Sequence, residues 1–179
     1  MLDVPPKDLG IAGATVAMAD NNTTGSFMGQ KFTLEITDVK FEADVAPIFD
    51  AMLAKGEKYV LTDLSEKQLL AIADKARDAG VLLFNVGNTD DSLREENCRI
   101  NVFHTAPTRS MLADGLAQYL VWKQWPKWAL ISGSHERDKL FAAALKRAAS
   151  AENLKLRAED VRATLDQLAR WQATPGHAL

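Results

Sequence analysis

Apolar positions recur along this chain with two periods, and the switches between them mark its elements. "LGIAGATVAMADNN" places small or apolar residues at 9, 12, 16 and 19, the spacing of a helix stripe. Its Ala/Gly-rich side suits close packing on a sheet, and the asparagines and glycines of "NNTTGSFMGQ" are expected to break it. "FTLEITDV" sets Phe32, Leu34 and Ile36 against Thr33, Glu35 and Thr37, the period of two of a half-exposed strand. "VAPIFDAMLAKG" returns to helix spacing through Val45, Ile48, Phe49, Met52 and Leu53, with Gly56 placed to cap its end. "KYVLTDL" is a short strand. Ser65 opens "SEKQ", a capping box in which its hydroxyl and the Gln68 side chain satisfy each other's backbone N–H. That helix runs through Leu69, Ile72, Ala73 and Ala76 to Gly80.

"VLLFNV" is unbroken in its apolar character, as expected of a central strand buried on both faces. "INVFHT" is a short extended segment. "TRSMLADGLAQYLVWK" is a helix with Leu112, Leu116, Tyr119 and Leu120 on one side. "KWALISG" is another strand and "ERDKLFAAALKRAASA" another helix, and "AEDVRATLDQLARWQ" puts Val161, Leu165 and Leu168 on one stripe. Strands alternate with helices, which predicts an α/β fold: a mainly parallel sheet with helices on both faces. The 179 residues suffice for one well-cored domain and are short for two. An α/β lobe is expected over residues 1–157, followed by a C-terminal helix and tail over 158–179.

Composition changes this picture little. Hydrophobic residues make up 47% and charged ones 25%, ordinary for a globular protein. A net charge of −3 with interspersed signs argues against nucleic-acid binding. No apolar run approaches the roughly 20 residues that span a bilayer, so no direct membrane insertion is expected. The opening "MLDVPPKDLG" lacks the basic flank and apolar core of a secretory signal. A single cysteine, Cys98, forbids an internal disulfide, and with scattered His104, His135 and His177 neither a metal nor a cofactor is expected.

In open parallel sheets, ligands bind beyond the carboxyl ends of the strands. Four polar-rich ends are expected to converge there: "TDLS" (62–65), "NVGNTDD" (85–91), "FHTAPTR" (103–109) and "SGSHERD" (132–138). Ser65 has a competing task as a cap, whereas Asn88 and Thr89 have none. Asp90 and Asp91 are adjacent on a loop, point apart, and read as solvated charges. His104 is a side chain of a type that ordinarily titrates near neutrality, but it lacks a base or nucleophile partner and is expected to be a hydrogen-bonded structural histidine. Trp122, Trp125 and Trp128 suggest an aromatic cage, though Pro126 between them favours tryptophans covering a helix-to-strand corner. Dinucleotide and P-loop glycine motifs, a G-x-S-x-G elbow and H-E-x-x-H are all absent, so no enzyme is expected.

Several ordered segments resemble a known family. "DLGIAGATVAMADNNTTGSFMGQKFTLE" is similar to the opening of type I periplasmic substrate-binding proteins of ABC transporters, the branched-chain amino-acid-binding group. "DNNTTGSFMGQ", "LLFNVGNTDDSLR", "FHTAPTRSMLADGLAQYLVWKQW" and "KWALISGSHERD" resemble its subgroup found beside PQQ-dependent alcohol dehydrogenase systems. The resemblance implies a non-enzymatic periplasmic protein that takes a small-molecule solute between two lobes and presents it to an ABC transporter permease. By position it implies ligand contacts at Asp63 and Ser65, at Asn88 and Thr89, and at His104 and Thr105. It departs at His104, where many members carry arginine, and "MLDVPPKD" offers no good counterpart of the family's first strand. The chain matches the first of two lobes, so a homo-oligomer covering the remaining surface is expected. An interaction module that lost its cleft, and a small α/β enzyme or receiver-like regulator, are the competing expectations; for a receiver, Asp90 and Asp91 lie near the right edge, but the acidic cluster and distal lysine are not evident.

Overall fold

The ends of three short strands define what this fold can present. The computed structural model describes residues 9–40, 42–152 and 155–160. Helices α1 (Leu9–Phe27), α2 (Ala46–Lys55), α3 (Glu66–Asp78), α4 (Arg109–Trp122) and α5 (Glu136–Ala151) alternate with strands β1 (Tyr59–Thr62), β2 (Leu82–Asn85), β3 (Val102–His104), β4 (Lys127–Ser132) and β5 (Lys155–Asp160). All pairings are parallel: β1 and β3 flank β2, and β5 pairs with β4. The class is the expected α/β fold, but the strands fall into two separate sheets, ordered β1-β2-β3 and β4-β5. The expected segment at the start of the chain and the helix after residue 160 lie outside the described residues.

The chain divides into two units, residues 1–40 and 41–179. In the first, α1 ends at Phe27, inside the expected "NNTTGSFMGQ", but at its glycines and not at its asparagines. Asn21 Nδ2 donates to Ala17 O at 2.8 Å and Thr23 Oγ1 to Ala19 O at 3.1 Å, so the polar side chains bond back onto the helix they were expected to end. The stop comes later, where Gly25 O accepts from both Met28 N and Gln30 N and Gly29 adopts φ +67°. A Cβ at Gly25 would sit 2.9 Å from Gln30 O, so the tight turn requires glycine there. The Asn22 amide then acts as a mock strand: it donates to Phe32 O at 2.9 Å and accepts from Phe32 N at 2.7 Å. "FTLEITDV" forms no strand, contrary to its alternation. A ladder needs a second extended segment, and the described residues of this unit hold none; Phe32 and Ile36 remain exposed.

In the second unit the local signals behave as expected. Ser65 caps α3, accepting from Gln68 N at 3.4 Å, while Ser65 N donates to Gln68 Oε1 at 3.2 Å. Gly56 and Gly80, with φ +85° and +67°, close α2 and α3 in the left-handed conformation. β2 is the central strand, and α3 buries Leu69, Ile72, Ala73 and Ala76. The sheet faces are unequal. Leu83 and Asn85 are buried, whereas Tyr59, Leu61 and Phe103 on the opposite face are exposed.

The second sheet differs more from expectation. β5 occupies "KLRAED", partly within the stretch expected to be helical, because β4 offers it a six-pair parallel ladder from Lys127↔Lys155 to Ser132↔Asp160. The face of α4 that packs is not Leu112/Leu116/Tyr119 but Ala113 and Ala117, which meet Ala144, Leu145 and Ala148 of α5, with Trp128, Leu130 and Phe141 alongside. Alanines let the two helices approach closely, and the larger residues stay outside. Of the three tryptophans only Trp128 joins this core; Trp122 and Trp125 are exposed, correcting the expected corner packing. The Lys123 ammonium lies 4.3 Å from the Trp122 ring centroid, so that ring already holds a cation of its own chain.

Candidate functional site

The parallel register pairs Thr62 with Asn85 and Asn85 with His104. The last residues of β1, β2 and β3 therefore lie side by side, and the loops that follow leave from one rim. Asn85, 1% exposed, organises it. Its Oδ1 accepts from Asn88 N at 2.8 Å and its Nδ2 donates to Asn88 O at 2.8 Å, with His104 Nδ1 at 3.0 Å. Its backbone carbonyl accepts from both the N–H and the hydroxyl of Thr105, at 3.0 and 3.2 Å. Asn88 extends the network: its Nδ2 donates to Leu64 O at 3.0 Å and its Oδ1 accepts from Asp90 N at 2.8 Å. The "TDLS", "NVGNTDD" and "FHT" ends are thus tied together. "SGSHERD" is not, because β4 belongs to the other sheet.

The six residues singled out by sequence divide by what their side chains are doing. Ser65 is committed to its cap and Asn88 to the loop. Thr89 is half-buried, and its hydroxyl has no hydrogen-bond partner among the described residues. Asp63 is exposed and unpaired among them, and Thr105 is exposed with oxygen lone pairs open. Sequence reasoning missed Asn85, whose burial at a strand end could not be told from "VLLFNV" alone. It also missed Arg94, whose guanidinium donates to the carbonyls of His104 and Ala106 at 3.3 and 2.8 Å.

Asp90 and Asp91 are not solvated charges. Asp90 pairs with the Arg109 guanidinium, and Asp91 Oδ1 accepts from Ser110 N at 3.3 Å. Both therefore serve the N-terminus of α4, whose unpaired N–H groups attract carboxylates.

His104 is held neutral. Asn88 N fixes the oxygen of the Asn85 amide, so the amide nitrogen faces His104 and Nδ1 must accept; the ring proton then sits on the buried Nε2, which makes no hydrogen bond of normal geometry among the described residues. Burial, and then the Arg94 charge, hold its pKa below 6.5, opposed by the Leu93 backbone. The unfolded chain accepts this proton near pH 6.5 and the folded chain only at lower pH. Stability is therefore expected to fall as pH drops below about 6.5 and to level off once the folded ring protonates. Urea titrations across this range should show that slope, and His104→Gln should flatten it.

Gly87 gives a second expectation. A Cβ there would lie 2.6 Å from Asp63 Cγ, so the Asp63 carboxylate must swing off the rim. Asp63 is exposed and free to move, so Gly87→Ala should change stability by no more than about 0.5 kcal/mol. Amide chemical shifts at 62–64 should nevertheless move; a loss above about 1.5 kcal/mol in urea unfolding would contradict a mobile carboxylate.

No group of His, Cys, Asp or Glu that could hold a metal ion occurs among the described residues. The rim offers a hydroxyl, a carboxylate and backbone groups, a set that holds small polar solutes by hydrogen bonds. An open parallel α/β sheet presenting such groups beyond its strand ends is the frame of a ligand-binding α/β protein. The chain belongs to the periplasmic binding protein family, whose model matches residues 8–170.

Solved structures show the same fold. An ABC transporter substrate-binding protein from Desulfitobacterium hafniense, in complex with Leu, is 20% identical with a TM-score of 0.69, over 94% of this chain and 52% of its own. A branched-chain amino acid ABC transporter periplasmic ligand-binding protein from Burkholderia xenovorans is 18% identical with a TM-score of 0.70, over 89% and 45%. An ABC-type branched-chain amino acid transporter protein from Rhodopseudomonas palustris is 19% identical with a TM-score of 0.61, over 81% and 40%. The chain thus spans about half the length of these relatives. No protein of curated function matches it.

Proposed function

We propose that the chain supplies one wall of the binding site of a non-enzymatic solute-binding protein that delivers a small organic solute to an ABC importer. The observation that carries this reading is the common rim: three parallel strand ends in register, tied together by the Asn85–Asn88 network, with Asp63, Thr89 and Thr105 on the loops that leave it. In this reading Ser65, Asn88 and His104 shape the wall and the other three touch the solute. The relatives' ligand classes make an amino-acid-sized solute the first candidate. Family membership supports a periplasmic location and partnership with a permease; no helix among the described residues is long and apolar enough to cross a membrane. A link to PQQ-dependent alcohol oxidation rests on the resemblance of "DNNTTGSFMGQ" and the later segments alone.

Thermal-shift measurements against the common amino acids and small organic acids and alcohols test the reading. At least one solute should raise Tm in a dose-dependent manner. A folded protein silent across the whole panel would refute it.

A second reading, an interaction module that self-associates, draws on the exposed Leu112, Leu116 and Tyr119 of α4. Sedimentation equilibrium separates the two: a dimer that binds none of the panel favours the module.

A further inference from the structure

Resting on the solute-binding reading, we infer that Arg109, Asp90 and Asp91 are positioning residues that hold Thr89 at the rim. Among the described residues, Thr89 itself contributes only a carbonyl to the surrounding bonds, accepting from Arg109 N at 2.9 Å. Its neighbours on both sides are fixed. Asn88 is wired to Asn85 and Leu64. Asp90 accepts the Arg109 guanidinium and donates its own N–H to Asn88 Oδ1 at 2.8 Å. One residue further, Asp91 takes Ser110 N.

The pair is also more shielded than the ion pairs on the helix faces. Arg109 and Asp90 side chains are 13% and 22% exposed, against 45% and 52% for Arg77 and Asp74. Shielded, charge-assisted bonds restrain geometry where exposed ones are loosened by water.

The anchor is firm in turn. α4 packs Ala113 and Ala117 into the α5 core, and Arg147 of α5 donates to Asp114 at 2.7 Å and to Ser110 O at 3.5 Å. The loop from 88 to 91 is therefore referenced to a packed helix, and Thr89 carries its one hydroxyl, which no neighbour among the described residues uses. Helix α4 spends the N–H groups of Arg109, Ser110 and Met111 on Thr89 O, Asp91 and Thr108 Oγ1, so its N-terminus grips the loop rather than a ligand.

A double-mutant cycle tests this, using as probe the solute giving the largest shift in the panel above, with L-leucine tried first. Thr89→Val and Arg109→Gln are each expected to weaken binding about tenfold, the loss of one recognition hydrogen bond. If Arg109 acts by placing Thr89, the double variant should also bind about tenfold more weakly than the parent, not about a hundredfold. Arg109→Lys should recover part of the affinity, and amide exchange at 88–91 should quicken in Arg109→Gln but not in Thr89→Val. Additive losses in the cycle would overturn the positioning role while leaving the solute-binding reading intact. Absence of binding by the parent would overturn that reading instead, and unchanged exchange in Arg109→Gln would remove the clamp itself.

Discussion

Asn85→Ala is expected to lower the unfolding free energy by about 2–4 kcal/mol, because truncation strands several part-buried polar groups at once. Asn88 N, Asn88 O and His104 Nδ1 all lose their partner, and none has another among the described residues. The cost is that of unmet donors and acceptors rather than of lost packing. Urea unfolding measures it, and a loss below about 1 kcal/mol would mean that water replaces the amide without penalty. Asn85→Asp sharpens the test. A carboxylate beside Nδ1 favours the imidazolium, so the folded pKa of His104 should rise above its unfolded value. The associated stability would then be present below the unfolded pKa and lost as pH rises through the folded one, the reverse of the parent. Both variants should also lose solute affinity, since the rim depends on the same amide.

Leu83→Ala should cost about 2–5 kcal/mol, the range for emptying a buried leucine site. Leu83 is 0% exposed and sits between Val60 and Val102 in register on the central strand. Leu61 is 54% exposed on the opposite face, and Leu61→Ala should cost less than about 1 kcal/mol. Equal losses at the two positions in urea unfolding would show that the exposed face is covered in solution.

Much of this frame could be read from the chain. The Ser65–Gln68 box and the Gly56 and Gly80 stops are local, spanning a few residues whose chemistry acts wherever they occur. The central place of "VLLFNV" followed from its two-sided apolar character. Failures arose where a distant partner decides. "FTLEITDV" alternates correctly but has no ladder to join, and "KLRAED" becomes a strand because β4 accepts it. Helix α4 is apolar on more than one side, so periodicity alone did not reveal that Ala113 and Ala117 would turn inward. At the site, the strand ends were visible in the sequence, but the wiring was not. Asn85 meets His104 across 19 positions, as does Asp90 with Arg109, and neither spacing carries a local signature.

The division between wired and open side chains along the rim has a consequence for how such a protein can change. Asn85 and Asn88 hold three loops in place and tolerate little variation, whereas among the described residues the side chains of Asp63 and Thr89 make no bond in that frame and that of Thr105 only one, so these three can be exchanged without unmaking it. A combinatorial library randomised at those three positions should yield mostly folded members, and new preferences among them would emerge without drift elsewhere in the chain.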